Sequence, residues 1–221
     1  IIPVYNETNI NTFLEKITSN ETLQNYEIIF VDGNDTSSLD LIKSSPSNKK
    51  IIKITSEKGR AKQMNAGAKI ATSEILLFLH ADTCLPNKAC DLIIDVLNNA
   101  DAGAFDLSFD SNNIFLKIIA SIASWRSRLT KLPYGDQAIF IKKDVFHTLN
   151  GYSNLPLMED VNLMQKLKKY NYKINILPQK VITSARKWEN SGIIYTTVRN
   201  WILITLYYCG VHPSKLAKFY K

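Results

Sequence analysis

The sequence predicts an α/β fold: a mostly parallel central sheet flanked by helices, with a helical C-terminal extension. Short apolar runs ("IIPVY", "EIIFV", "IIKIT", "ILLFL") recur through the first hundred residues, and stretches with helical spacing separate them. Strand and helix units alternating at this length imply parallel strands joined by right-handed crossovers. The best defined run, Ile75 to Leu79, is apolar throughout rather than alternating, as expected of a strand covered on both faces.

"IIPVY" is followed by Ile10, Phe13, Leu14 and Ile17, which share one helix face. "EIIFV" leads into a polar loop and a short "LDLIK" segment. "IIKIT" precedes a basic loop and a helix over about 61–71. "ILLFL" precedes a helix carrying Ala89, Leu92, Ile93, Val96 and Leu97. After Asp101 the pattern loosens. "AGAFDLSF" predicts a strand, 112–130 a helix, "QAIFIK" a strand, and "MEDVNLMQKLKKY" a helix with acids in its first turn. No linker rich in Pro, Gly or Ser and no internal repeat interrupts the chain, so residues 1–221 read as one domain whose second half is built onto the first sheet.

At 45% hydrophobic and 21% charged residues the composition is that of an ordinary globular chain, so function must come from sites. A net charge of +7 favours an anionic partner: a nucleotide, a phosphorylated substrate, nucleic acid or a membrane surface. Cys84, Cys90 and Cys209 are odd in number and form no CxxC pair, which argues against a disulfide framework and favours a reducing compartment. No signal-peptide pattern is visible, and a chain opening on Ile1 leaves targeting unread. The segment "IIYTTVRNWILITLYYCGV" is apolar but carries Arg199 and Asn200 near its middle, against a spanning helix. It reads as a core or dimer helix, or, with Trp201, Tyr207, Tyr208 and the basic "KLAKFYK", as a surface resting on a membrane.

Three polar clusters follow expected strands: Asn6 and Glu7 after "PVY", Asp32 and Asp35 in "VDGNDTSS", and Asp82 in "HADT". In one parallel sheet all three end at the same edge, where ligands gather. Acids there can bind a ribose or base, or hold a divalent metal. They also begin turns, a reading equally open for Asp35, which Thr36 and Ser37 follow. The loop "SEKGRAKQMNAGAKIA" brings Lys58, Arg60 and Lys62 to the start of a helix, with Gly59 permitting tight backbone passage. It suits a phosphate, or is a solvated basic face. Glu159 and Asp160 either offset the helix dipole or supply a general base and an orienting acid. Asp136 and Gln137, just before "AIFI", either meet a substrate or begin a turn.

Taken together, "PVYNE", "FVDGNDTSS", "KGRAKQMNAGA", "LFLHADT", "GDQAIFIKK", "LPLMEDVNLMQKLKK" and "SARKW" resemble the ordered motifs of a family 2 glycosyltransferase with the GT-A fold. Within that family the chain is most similar to the small bacterial branch associated with radical-SAM and selenodomain proteins. The resemblance implies an inverting transfer of sugar from a nucleotide-diphosphate sugar, a UDP-sugar favoured, to a saccharide or lipid-linked acceptor. It divides the chain into a nucleotide-binding half (1–100), an acceptor and catalytic half (101–190) and a helical tail (191–221).

By the same resemblance, Pro3, Tyr5, Glu7 and Asp32 frame the nucleobase and ribose, while Lys58 and Arg60 lie near the diphosphate with Asn65 close by. His80, Ala81 and Asp82 match the Asp-any-Asp signature, so Asp82 is the expected ligand of Mn²⁺ or Mg²⁺. The departure is His80 in place of the first Asp; it hydrogen-bonds the ribose or adds a metal ligand. Asp160 matches the general base, with Glu159 beside it. Arg186 is expected to meet a phosphate and Trp188 to shape the acceptor floor, with Asp136 and Gln137 on the acceptor side. Trp125, Arg126 and Arg128 are read with that acceptor-side surface. The implied enzyme is cytoplasmic and takes no nucleic acid, and both peripheral contact with the inner membrane surface and a homodimer are compatible with it.

Three other readings compete. A nucleotidyltransferase relies on a Gly-rich N-terminal phosphate loop, which "PVYNETN" is not. A basic nucleic-acid-binding module interleaves aromatics with its cations, whereas here most aromatics occupy apolar-periodic positions. A zinc site from His80, Cys84 and Cys90 matches no standard spacing.

Overall fold

The computed structural model describes residues 1–7, 10–19, 26–33, 39–42 and 50–220. Asp35, Thr36 and Ser37 therefore lie outside the described residues, as does most of the polar loop that carries them. The first three apolar runs form β1 (Ile2–Val4), β2 (Ile28–Asp32) and β3 (Ile51–Thr55), paired in parallel in the order β1-β2-β3. β2 is buried along its whole length and shows why its run is apolar throughout. Ile28 and Phe30 pack into one core and Ile29 and Val31 into another, on opposite faces of the sheet. Helix α1 (Ile10–Ser19) covers the first face, and α2 (Arg60–Ile70) the second.

The fourth run forms β4 (Ile75–Leu77), which opens a five-stranded sheet completed by β5 (Thr83–Cys84), β6 (Ala102–Phe109), β7 (Phe140–Lys142) and β8 (Ile174–Thr183). Its order is β4-β7-β6-β8-β5; only the β6–β8 pair is parallel. The Ile1 nitrogen donates to the Leu77 carbonyl at 2.7 Å and the Leu79 N–H to the Ile1 carbonyl at 3.0 Å. This is the slanted pattern of parallel strands, so the run preceding Asp82 lies beside β1, as a parallel order requires. The second half is more antiparallel than the sequence implies because "QAIFIK" inserts between β4 and β6, running opposite to both.

The remaining helices are α3 (Ala89–Leu97), α4 (Ile114–Thr130), α5 (Lys143–Thr148), α6 (Glu159–Lys169), α7 (Arg186–Ser191), α8 (Ile193–Tyr208) and α9 (Pro213–Leu216). The described part of the short "LDLIK" segment, 39–42, forms a turn. Cys84, Cys90 and Cys209 are free thiols. No helix among the described residues is long and apolar enough to cross a membrane.

Gly103 sits where β6 is pressed between its two neighbours; a Cβ there would collide with the Asn175 carbonyl oxygen and the Phe140 ring. A backbone oxygen cannot swing aside as a side chain can. Gly103→Ala is therefore expected to destabilise the fold by about 1–3 kcal/mol or more, read as a lower urea midpoint. An unchanged midpoint would contradict this packing.

Candidate active site

Three polypeptide segments converge at the carboxyl edge of the parallel strands. β1 runs into Tyr5 and Glu7, β3 into the loop Lys58–Gly59–Arg60 that starts α2, and β4 into His80, Ala81 and Asp82. These segments line a cleft of about 360 Å³. Lys58 holds its ammonium 4.0 Å from the centre of the Tyr5 ring, a cation–π contact that places positive charge beside an aromatic face. Beneath them Gln63 is buried, and its side-chain amide donates to the Val4 carbonyl at 2.6 Å and the Val31 carbonyl at 2.8 Å. It ties β1 to β2 just below the opening.

A second cleft, about 440 Å³, adjoins the first and shares Arg60, His80 and Asp82 with it. Its other walls come from α4, from the 3₁₀ turn Gly135–Gln137, from the start of α6, and from α7 and α8. Arg60 is the hinge of the arrangement. Its Nε pairs with Glu159 Oε1 at 2.8 Å, and its Nη1 lies 3.3 Å from His80 Nε2. Because a guanidinium only donates, His80 Nε2 must accept, which places the imidazole proton on Nδ1. Burial and the adjacent Arg60 cation depress the His80 pKa to about 3, so the ring is neutral through the physiological range. With its Nε2 lone pair turned to Arg60, His80 serves here as a hydrogen-bond acceptor. For Arg60 itself, burial disfavours the charge, but Glu159 and Asp160 outweigh it and raise the pKa above the ordinary value.

Glu159 and Asp160 are neighbours with different surroundings. About 100° apart around the helix, Glu159 turns inward and is 2% exposed, whereas Asp160 lines the second cleft. Asp160 Oδ2 accepts from the Gly135 N–H at 2.6 Å and Oδ1 from the Val161 N–H at 2.7 Å. A carboxylate offers about four lone-pair sites, so two remain for a ligand. A Cβ on Gly135 would lie 3.1 Å from His80 Nε2 and 3.2 Å from Asp160 Oδ2. The chain can pass between histidine and carboxylate because that position carries no side chain. Asp136 lines the same cleft; burial first, then the charge of Asp160, raises its pKa to about 6. Its Oδ1 is buried without a hydrogen-bond partner.

The expected residues thus divide. Pro3, Tyr5, Glu7, Lys58, Arg60, His80 and Asp82 meet around the first cleft; Asp136, Asp160 and Trp188 line the second. The others lie elsewhere. Asp32 is fully buried at the end of β2. Asn65 exchanges two hydrogen bonds with the Tyr152 backbone, 2.8 Å to its carbonyl and 3.0 Å from its N–H. Gln137 is buried and takes up the Ser127 hydroxyl (2.7 Å), the Tyr134 N–H and the Phe105 carbonyl (2.8 Å). Arg186 is exposed at the start of α7 and lines neither cleft.

On α4, Arg126 lines the second cleft, stacked 3.8 Å over the Tyr134 ring, while Arg128 pairs with buried Asp106. Trp188 packs edge-on against Phe109 with ring centres 4.7 Å apart, and its indole N–H has no protein partner. Tyr134, Lys187 and Tyr220 complete the walls without having been legible in the sequence; Lys187 lies 3.7 Å over the Tyr220 ring. The zinc reading fails on placement, because Cys90 lines an apolar cavity behind β1 and β4 while His80 faces the two clefts.

Residues 1–151 match the model of "Glycosyl transferase family 2", more than half of the chain and all three segments of the first cleft. The chain belongs to this family. It is also similar to an uncharacterised glycosyltransferase of Haemophilus influenzae, 26% identical over 178 residues, 76% of this chain and 60% of the relative. Among solved structures the family 2 chain is similar to S. aureus TarS 1-349, with TM-score 0.63, 17% identity, and 92% and 63% of the two chains covered. It is likewise similar to the mannosyltransferase PcManGT from Pyrobaculum calidifontis in complex with GDP-Man and Mn²⁺, with TM-score 0.58, 18% identity and coverage of 82% and 55%. These likenesses establish the GT-A fold expected from the motifs. The chain spans 55% to 63% of the length of these relatives.

Asp82 is the carboxylate of the family 2 chain that could hold a metal. It is exposed where the clefts meet, its carbonyl accepts from the Ser184 N–H at 3.1 Å, and the Thr83 hydroxyl lies 3.3 Å from Oδ1. Among the described residues no three His, Cys, Asp or Glu side chains group to hold a metal unaided. One exposed carboxylate fits a hard divalent cation that takes its other oxygens from a ligand's phosphates.

Proposed function

We propose that this chain transfers a sugar from a nucleoside diphosphate sugar, a UDP-sugar favoured, to a hydroxyl of a saccharide or lipid-linked acceptor, inverting the anomeric carbon. The observation that carries the reading is the junction of the two clefts at Arg60, His80 and Asp82, with Asp160 across Gly135 from His80. The first cleft offers the Tyr5 face for a base, Glu7 and the His80 Nδ1–H for ribose hydroxyls, and Lys58 and Arg60 for the diphosphate. Asp82 would hold Mn²⁺ or Mg²⁺, which when bound neutralises charge on the leaving diphosphate. TarS has been solved with UDP and PcManGT with GDP-Man and Mn²⁺, which supports a nucleotide-sugar donor here.

The acceptor enters the second cleft, against Trp188. Asp160 takes the proton of its hydroxyl as that oxygen bonds to the anomeric carbon, while the anomeric C–O bond breaks and its electron pair leaves with the diphosphate. One displacement gives inversion. Arg60, raised in basicity by its two acidic neighbours, stays charged and stabilises the departing phosphate oxygens. Glu159 touches Arg60 rather than the cleft, so it positions the cation.

Calorimetric titration of UDP and GDP, with and without Mn²⁺, into wild type and Asp82→Asn tests this reading. Wild type should bind one nucleotide more tightly with Mn²⁺. The variant should lose that gain, on the order of 10–100-fold, the scale known for residues that only support a metal ligand. Folded wild type that binds neither nucleotide would overturn the donor assignment.

A further inference from the structure

Two helices beside the second cleft leave apolar faces uncovered. On α4, Ile114, Ile118, Ile122, Trp125 and Leu129 recur at helical spacing and are 46% to 68% exposed. On α8, Ile194, Val198, Trp201 and Ile202 are 47% to 79% exposed. Helices of a globular chain ordinarily turn such stripes inward, and contiguous exposed apolar surface marks an interaction site. The two faces adjoin the same opening: Ile122 and Trp201 belong both to the exposed stripes and to the cleft lining.

Charge decides what covers them. Residues 111–131 and 193–220 contain no Asp or Glu; the first segment carries four Lys or Arg, of which Arg128 is paired with Asp106, and the second carries three. A second copy would bring this cationic surface against its like; an anionic surface attracts it. The aromatics are of the interfacial kind, Trp125 and Trp201 with Tyr195 and Tyr208, all more than half exposed.

We propose that α4 and α8 together dock on an anionic phospholipid bilayer, their apolar faces at the level of the headgroups, so that the second cleft opens between them onto the membrane. Neither helix spans it; both lie in its plane. The docking goes beyond the transfer reaction and is measurable without it.

The test is flotation of the full 221-residue chain with vesicles of phosphatidylcholine alone and of phosphatidylcholine mixed with phosphatidylglycerol. The chain should float with the mixed vesicles only, and high salt should release part of it. Lys117→Gln and Lys218→Gln should each weaken partition about fivefold. Ile118→Ser/Trp125→Ser, on the outer face of α4, should abolish flotation while the thermal midpoint and nucleotide binding stay as in wild type. Folded chain that ignores anionic vesicles, or floats equally with neutral ones, would overturn the proposal. So would a dimer that Ile118→Ser/Trp125→Ser dissociates, since the stripe would then be a self-interface.

Discussion

Asp160→Asn should lower kcat by about 10²–10⁴-fold, the range contributed by a positioned general base, with nucleotide affinity close to wild type. The asparagine keeps one carbonyl oxygen for either the Gly135 or the Val161 N–H and turns an amide group toward the other. The fold should therefore survive at a cost of about 1–3 kcal/mol, visible in thermal unfolding. The competing base is Asp136, whose pKa near 6 suits proton transfer. Geometry favours Asp160, because both its oxygens are anchored while one oxygen of Asp136 is buried away from any partner. Measuring kcat for Asp160→Asn and Asp136→Asn side by side settles the matter; a deeper loss in the Asp136 variant would move the base there.

Arg60→Met is expected to fail in two separable ways. Glu159 is 2% exposed, and removing its ion-pair partner strands a buried carboxylate, a loss of about 3–5 kcal/mol. In a chain of this size that corresponds to a melting point lower by roughly 10 °C. The double variant Arg60→Met/Glu159→Met removes both charges and should recover most of the stability. It should not recover turnover, because the cation proposed for the departing diphosphate is still missing. Restored turnover in the double variant would show that Arg60 matters only to folding.

Much of the site was readable because apolar runs stop abruptly at polar residues along one sheet edge. "PVYNE", "KGRAK" and "LHADT" each follow such a run, and the structure brings all three to one cleft. Less legible features have local causes. β8 contains Pro178, which ordinarily demotes a strand; it is accommodated because the β6–β8 register skips Pro178 and Gln179 between Leu177 and Lys180. β5 is two residues long and exists through its pairing with β8. The walls of the second cleft come from residues as distant as Arg60, Tyr134 and Tyr220, and no local pattern signals such a meeting. Asp32, Asn65 and Gln137 have the residue types of a binding site but are buried or bonded within the fold. Composition distinguishes a ligand's partner from the protein's own only after the packing is known.

Asn65 has a mechanical consequence. Its side-chain amide grips the backbone at Tyr152 as a neighbouring strand would, donating and accepting at once. Five residues earlier on the same helix, Arg60 grips Glu159. The segment from Tyr152 into α6 is thus clamped to α2 at two points, like a beam fixed at two supports, and cannot pivot about either. Two such supports resist a change in the spacing between the cation and the proposed base. Any widening of the second cleft must then be taken up by its opposite wall, α4 and α8, the side that faces outward.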